Sequence, residues 1–569
     1  LTLAGGLAQA QDTAPPQEPI RLEAPEPADI VIHNAKFWTG ADSAKPDSDI
    51  TGVAIDGGRI RAVGSDEFVM LFFAPGTKLI DGKGRRVIPG ITDSHTHMIS
   101  GGLQLERLDL RDAKNKEEFI ERVAEAAKGR ATADWILGGR WSVESWENPE
   151  TPRASWLDAV TGDVPAFLMR MDGHGALANS AAMRHGGISK DGPPDPVGGE
   201  IERDPATGEP TGILKESAMQ LVARAVPEPK SSERRAALKR ALQHANSFGI
   251  TSVHDMCHLP ELVTFKGALL ENELTVRVSA YLTSDDWFQQ AGPLIRNKYE
   301  LKGDMLRAVG LKAYMDGSLG SRTAYMRDRF ADATSETKYP RGQLTAFAST
   351  APDFHRKITL IDRGGLQAAV HAIGDEAIHL LLDAFEEASR ANGTLDRLHR
   401  IEHAQHILPR DIPRFEELRV VASMQPFHKA DDGRYAEKAL GKDRLEGSYA
   451  FRQLVDSGAL VIFGSDWPVV TMNPFAGIDS AVNAKTLSGE VWLPSHSLTV
   501  EEALRAYTVW PAKAVKQDKV LGTIEAGKLA DIVILQDDVL TIPKDKIKDV
   551  KVAYTIVDGK IVYQAPGEP

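Results

Sequence analysis

From Asp29 onward the chain alternates short apolar runs with polar breaks, as in ADIVIHNAKFWTG, DITGVAIDGGRIRAVG and TKLIDGKGRRVIPG. Runs of this length, rich in Ile and Val and bounded by Gly and Asp-Gly turns, predict a small antiparallel sheet. ADIVILQDDVL and VAYTIVDGKIVYQ repeat the texture near the other end, with Asp558-Gly559 marking a hairpin as Asp56-Gly57 does. The two ends are therefore expected to pair into one β-sandwich domain, residues 29–86 with 516–569. Between them, LQAAVHAIGDEAIHLLLDAFEEASR followed by RLHRIEHAQ gives an apolar strand, an amphipathic helix and another strand. That alternation signals a parallel sheet with crossover helices. About eight such units across 87–515 predict an α/β fold: a (β/α)8 TIM barrel with the small sandwich appended. Residues within 130–230 break the rhythm, with Trp135, Trp141, Trp146 and Trp156 among many Gly and Pro, and are read as a large insertion.

Composition narrows the class. With 42% hydrophobic, 7% aromatic and 26% charged residues, the 569-residue chain matches a globular protein rather than a disordered or fibrous one. A net charge of −13 without a dense Lys/Arg run argues against nucleic acid or an anionic membrane surface as partner. No run reaches the roughly 18 apolar residues of a membrane span. The single cysteine, Cys257, excludes a Cys-ligated zinc site, so any metal must be held by His and carboxylates. Residues 1–10, ending Ala8-Gln9-Ala10, read as a signal-peptide remnant with an A-x-A cleavage pattern, and 11–28 as a solvated linker. The address implied is periplasmic or secreted, with a flexible tail on a cytoplasmic protein as the alternative.

The strongest local signal is VIPGITDSHTHM, an apolar strand ending in His95-Thr96-His97. Side chains at i and i+2 on a strand point the same way, so two imidazoles converge on one point, the spacing of metal ligands. Paired histidines also occur on solvated strands, so the other strand ends matter. Lys312 lies in RAVGLKAYMDGSLG, His371 ends LQAAVH, His403 ends LHRIEH, and Asp466 follows GALVIFGS. His371 to His403 spans 32 residues, one βα unit, and His403 to Asp466 spans 63, two units. Lys312 to His371 is 59 residues, one unit with an enlarged loop, which assigns the groups to strands one, four, five, six and eight. Catalytic groups of a barrel gather at the C-terminal ends of its strands, as these do.

At this point the chain resembles the amidohydrolase superfamily and its YtcJ-like branch, amidohydrolase family 3, from about Asp29 to Tyr563. PGITDSHTHM, RMDGHGALANSAAM, GGEIERDPATGEPTGILKE, GLKAYMDGSLGSRTA, HAIGDEAI, RIEHAQ, GSDWPV and GTIEAGKLADIVIL carry the resemblance. It implies that His95 and His97 with Asp466 ligate one metal, and His371 with His403 a second. It also implies that Lys312, carboxylated by carbon dioxide to a carbamate, bridges the two. An ammonium beside a single metal is the alternative for Lys312. The implied ions are divalent: two zinc by default, with manganese, iron or nickel also suited to the ligands.

Such a site implies hydrolysis of a non-peptide C–N bond in an N-acyl, formamide or cyclic amide small molecule. Metal-activated hydroxide is the nucleophile and Asp466 the general base and acid. Lactone, ester or carbamate hydrolysis is the close alternative. A lyase or isomerase, or a non-catalytic binding protein, stands further off, since fold does not fix function. His174 and His254 are candidate donors to the developing oxyanion, each with a core or supporting role as alternative. Asp255 is a candidate to orient a neighbouring imidazole. Trp141 is a candidate pocket wall or part of the insertion's core, Arg322 a candidate clamp for a substrate carboxylate, and His428 a candidate lining residue. His406 is placed past the strand end. The sequence leaves a homo-oligomer open.

Overall fold

In the computed structural model, residues 25–42, 49–283, 304–393 and 396–568 are described. The expected leader and most of the expected linker lie outside them. Eight parallel strands form one sheet in chain order: β1 (Ile91–Thr96), β2 (Ile250–Cys257), β3 (Arg277–Thr283), β4 (Leu306–Tyr314), β5 (Gln367–Ala372), β6 (Arg400–His403), β7 (Val421–Met424) and β8 (Val461–Phe463). The sheet curls shut where the chain beyond β8 meets β1. Asp466 N donates to His95 O at 2.7 Å, and His97 N donates to Trp467 O at 2.9 Å. Every residue of β1, β2, β5, β6, β7 and β8 is buried, as strands covered on both faces must be.

The outer helices bury apolar stripes on this barrel. Helix α1 (Met98–Gln104) leaves the end of β1, and α2 (Ser231–Ser247) packs on it through Ala237, Leu238, Ala241 and Leu242. Between β1 and β2 the chain builds a separate six-stranded mixed sheet from Leu108 to Glu216. Trp141, Trp146 and Trp156 pack with Phe119, Leu157 and Leu168 on one side of it.

The chain ends meet as expected. Ile532–Leu535 pairs antiparallel with Arg86–Pro89 on one side and with Val552–Val557 on the other. Asp56 to Arg59 and Val557 to Lys560 close hairpins over residues with positive φ, Gly57 (55°) and Gly58 (77°) in one, Asp558 (52°) and Gly559 (70°) in the other. The terminal strands differ from the antiparallel expectation in two respects. They divide into two sheets, and Ile30–His33 with Lys78–Asp81, like Lys36–Phe37 with Arg86–Pro89, run parallel. A period-two pattern reports burial of one face and is blind to strand direction.

Candidate metal centre and active site

His95 stands at the end of β1 with its Nδ1 2.6 Å from Glu402 Oε2. A carboxylate only accepts, so Nδ1 carries the proton and Nε2 keeps its lone pair. That Nε2 lies 3.2 Å from Lys312 Nζ and 3.6 Å from Asp466 Oδ1. His97 lies between two acceptors, Nδ1 2.9 Å from Met256 O and Nε2 3.3 Å from Asp466 Oδ1, and against burial the Asp466 carboxylate raises its ring above the ordinary value. His403 Nδ1 donates to Gln425 Oε1 at 2.8 Å, which leaves its Nε2. His371 is the reverse: Nε2 donates to Gly317 O at 3.1 Å, which leaves Nδ1. His95, His371 and His403 are thus each fixed by a hydrogen bond on one nitrogen and keep the other as an acceptor, the arrangement that metal-binding imidazoles need. Donor atoms of His95, His403 and Asp466 lie within 4.8 Å of one another, and the His371 and His403 rings are 4.5 Å apart.

The backbone is shaped to permit this convergence. Asp466 (φ 58°) and His403 (φ 74°) adopt the left-handed region, which costs a non-glycine residue about 1–2 kcal/mol and clusters at functional sites. Gly464 lets the chain after β8 lie against β1, since a Cβ there would stand 2.5 Å from His95 N. Asp255 accepts from Met98 N at 2.7 Å and from Thr96 Oγ1 at 3.2 Å. It therefore fixes the segment carrying His97 rather than orienting an imidazole.

Burial and neighbouring charge set the protonation states. Burial, helped by the Lys312 charge, takes His95 down to about 4, and burial holds His371 and His403 well below their ordinary value. All three are neutral at pH 7, as ligands must be. Burial alone would raise Asp466, but the hydrogen bond from His97 holds it well below the usual carboxylate range. Lys312 is pushed down to about 8 by burial.

A cavity of about 410 Å³ opens on this cluster, with Asp466 and His403 in its wall beside His174, His428, Met171 and Val469. His174 packs on His371 with ring centres 4.8 Å apart, and its Nδ1 meets Glu216 Oε2 at 3.0 Å. Burial opposes charge on His174, but Glu216 overrides it and raises the ring to about 9, so it is an imidazolium at neutral pH. His428 stacks on His403 at 6.1 Å, and its buried Nε2 has no hydrogen-bond partner among the described residues. Three sequence candidates stand elsewhere. His254 faces Arg400 Nη1 at 2.9 Å, within the barrel below the cluster, and cannot serve as an oxyanion donor from there. Trp141 is buried in the core of the inserted sheet, its Nε1 donating to Leu168 O. Arg322 is engaged with Asp332 at 2.6 Å and with Leu319 O at 2.8 Å, so it is no free clamp. His406 turns away to Ser448 Oγ at 2.9 Å.

Sequence reasoning passed over the residues that hold the ligands. Glu402 joins His95 to the fully buried Arg400, whose Nε lies 2.7 Å from Glu402 Oε1, and this pairing keeps Glu402 ionised against burial. Asp316 accepts from Ile373 N and Gly374 N at 3.0 and 2.8 Å, tying the turn after β4 to that after β5 beside His371. The available signal was period-two placement: Arg400 and Glu402 point into the barrel on a strand whose His403 ends it.

A barrel whose strand ends gather four histidines, a lysine and an aspartate defines a metal-dependent hydrolase. The chain belongs to the amidohydrolase family, whose pattern it matches over residues 78–563. It is 38% identical over 556 residues to Protein LONG AFTER FAR-RED 3 of Arabidopsis thaliana, covering 94% of this chain and 92% of that one. It is 30% identical to YtcJ of Bacillus subtilis (strain 168), covering 90% and 96%. It is 28% identical to N-substituted formamide deformylase of Arthrobacter pascens, covering 95% and 99%. Among solved structures, an uncharacterized metal-dependent hydrolase from Pyrococcus horikoshii OT3 superposes with a TM-score of 0.71 at 27% identity, over 91% of this chain and 99% of that one. No helix among the described residues is long and apolar enough to cross a membrane.

Proposed function

We propose that the protein hydrolyses the C–N bond of an N-acyl or N-formyl small molecule at a centre of two divalent ions, zinc by ligand type. The observation that carries this reading is the convergence of His95, His97 and His403 on Asp466, with His371 packed on His403 and Lys312 on His95. His95, His97 and Asp466 would hold one ion, and His371 and His403 the other. Similarity to a formamide deformylase along nearly the full length of both chains supports an amide over an ester or lactone. Divalent ions bound here lower the pKa of water from 15.7 towards about 7, so that hydroxide is available at neutral pH.

The chain's own groups do the rest. Lys312, whose pKa burial lowers to about 8, is the residue that would take up carbon dioxide through its neutral Nζ with release of a proton, and the carbamate so formed would supply an anionic ligand where an ammonium would repel the ions. Asp466 takes the proton of the attacking water on a carboxylate oxygen and passes it to the departing amine nitrogen. The His174 imidazolium, in the cavity wall beside His371, donates to the carbonyl oxygen as it gains charge.

Elemental analysis of purified protein with native intact mass tests this reading. Two ions per chain and the added mass of carbon dioxide, lost in Lys312→Met, are expected, together with turnover of N-formyl and N-acetyl amines. One ion with unmodified lysine would overturn the bridged centre. Turnover of lactones or carbamates alone would overturn the amide assignment.

A further inference from the structure

The arginines around the cavity are engaged, with one exception. Arg170 pairs with Asp172 and Glu144, Arg434 with Asp431, Arg322 with Asp332, and Arg111 donates to Pro468 O at 2.8 Å. Arg140 makes no hydrogen bond or ion pair among the described residues, and its Nε is buried without an acceptor. A half-buried guanidinium with an orphaned Nε and no ion-pair partner within reach has donors left over for an anion.

Its position is built by the backbone. Gly138, Gly139 and Arg140 all have positive φ, at 114°, 100° and 60°. In the ladder Met169 faces Gly139 and Arg170 faces Trp141, so Arg140 is the extra residue of a bulge. Bulges beside active sites re-aim side chains in this way. The glycines are required, since a Cβ on Gly139 would lie 2.7 Å from Met169 O. The re-aimed Nη1 lies 3.8 Å from where a side chain on Gly173 would begin, and Val469 Cγ2 lies 3.9 Å from the same point. Gly173 immediately precedes His174, and both Val469 and His174 line the cavity. Asp466, Asp109 and Asp172 attract Arg140 from beyond ion-pair distance while Arg111 repels it.

We propose that Arg140 anchors a carboxylate carried by the substrate, so that the amide taken by this site belongs to an anionic, carboxylate-bearing molecule. The planar fork of N–H groups matches a carboxylate in two parallel hydrogen bonds. Arg140 itself stands outside the cavity wall, next to Gly173 and so beside the lining residues Asp172 and His174, which would hold the carboxylate apart from the reacting carbonyl. This rests on the amide-hydrolase reading above.

The test uses metal-loaded, full-length protein and N-methanesulfonyl amino acids, each paired with its carboxamide; their S–N bond serves as an uncleaved stand-in for the amide. Calorimetric titration is expected to show the carboxylates binding at least tenfold more tightly than the carboxamides. Arg140→Gln should erase the difference at unchanged metal content, and Arg140→Lys should restore part of it. A series with no Arg140-dependent preference, including one in which nothing binds, overturns the anchor. Turnover of the matching N-formyl series separates the two claims. Arg140-dependent binding without hydrolysis would remove the hydrolase reading and keep the anchor; hydrolysis indifferent to the carboxylate would do the opposite.

Discussion

Glu402 acts on the centre without facing the cavity: it fixes the proton on His95 Nδ1 and is itself fixed by Arg400. Removing its charge frees the His95 ring to turn and leaves Arg400 buried without its partner. Glu402→Gln should weaken metal affinity by about 10–100-fold, read by competition with a chelator, while circular dichroism stays unchanged. If Asp466 serves as proposed, Asp466→Asn removes the proton acceptor and a ligand together, so turnover should fall by at least about 10²-fold with loss of bound metal. His95, His97, Lys312, His371, His403 and Asp466 were legible as candidates because each lies in or just beyond an apolar strand, and from His371 on at intervals of one or two βα units. Arg140 and Arg322 were not, because a free arginine and an engaged one look alike in sequence. Asp332, ten residues beyond Arg322, neutralises it only once the loop has folded back.

At the scale of elements, α1 is the lever that couples packing to His97. Gly102 on α1 meets α2 so closely that a Cβ would lie 2.0 Å from Ala237 O. Gly102→Ala must push α1 away from α2, at a cost of about 1–3 kcal/mol. Denaturant unfolding should show that loss, and metal affinity should fall with it because α1 starts at the residue after His97. A second element-level test is Lys429, 2% exposed on the helix Pro426–Asp432, with Leu493 O at 3.1 Å as its hydrogen-bond acceptor. Burial lowers its folded pKa from 10.5 to about 8. Below pH 8 both folded and unfolded chains carry the proton, and the cost of burying the ammonium is fully felt. Between pH 8 and 10.5 the unfolded chain binds more protons, so stability rises with pH. Lys429→Met should therefore raise the unfolding free energy at pH 7 by up to about 3 kcal/mol, and thermal melts should show that gain shrinking by pH 10.

Across the whole molecule, the barrel and the sheet of the chain ends are joined by a buried ion pair. Arg277, the first residue of β3, meets Asp531 through Nε at 2.7 Å and Nη2 at 2.8 Å, and reaches Asp558 at 3.1 Å. Both Arg277 and Asp531 are almost fully buried. Arg277→Met leaves Asp531 as an uncompensated buried charge and should cost about 3–5 kcal/mol in denaturant unfolding. A loss of unfolding free energy of less than a tenth of that would show the junction is held by the apolar strand contacts alone. The metal centre is assembled at the same scale, because Asp466 reaches it only when the chain after β8 closes onto β1.

The sequence by itself determined the alternation of strands and helices, the pairing of the two chain ends, and the His, Lys and Asp side chains that meet at or beyond the strand ends. Each of these depends on burial pattern and ligand type, which are local properties. The tertiary structure alone decided which nitrogen of each imidazole faces the centre, that Glu402 and Asp316 hold the ligands and their loops, that His254 lies below the site, and that Arg140 and not Arg322 is left without a partner. Those are properties of pairs far apart in the chain, and neither member carries a mark of the other until folding brings them within hydrogen-bond distance.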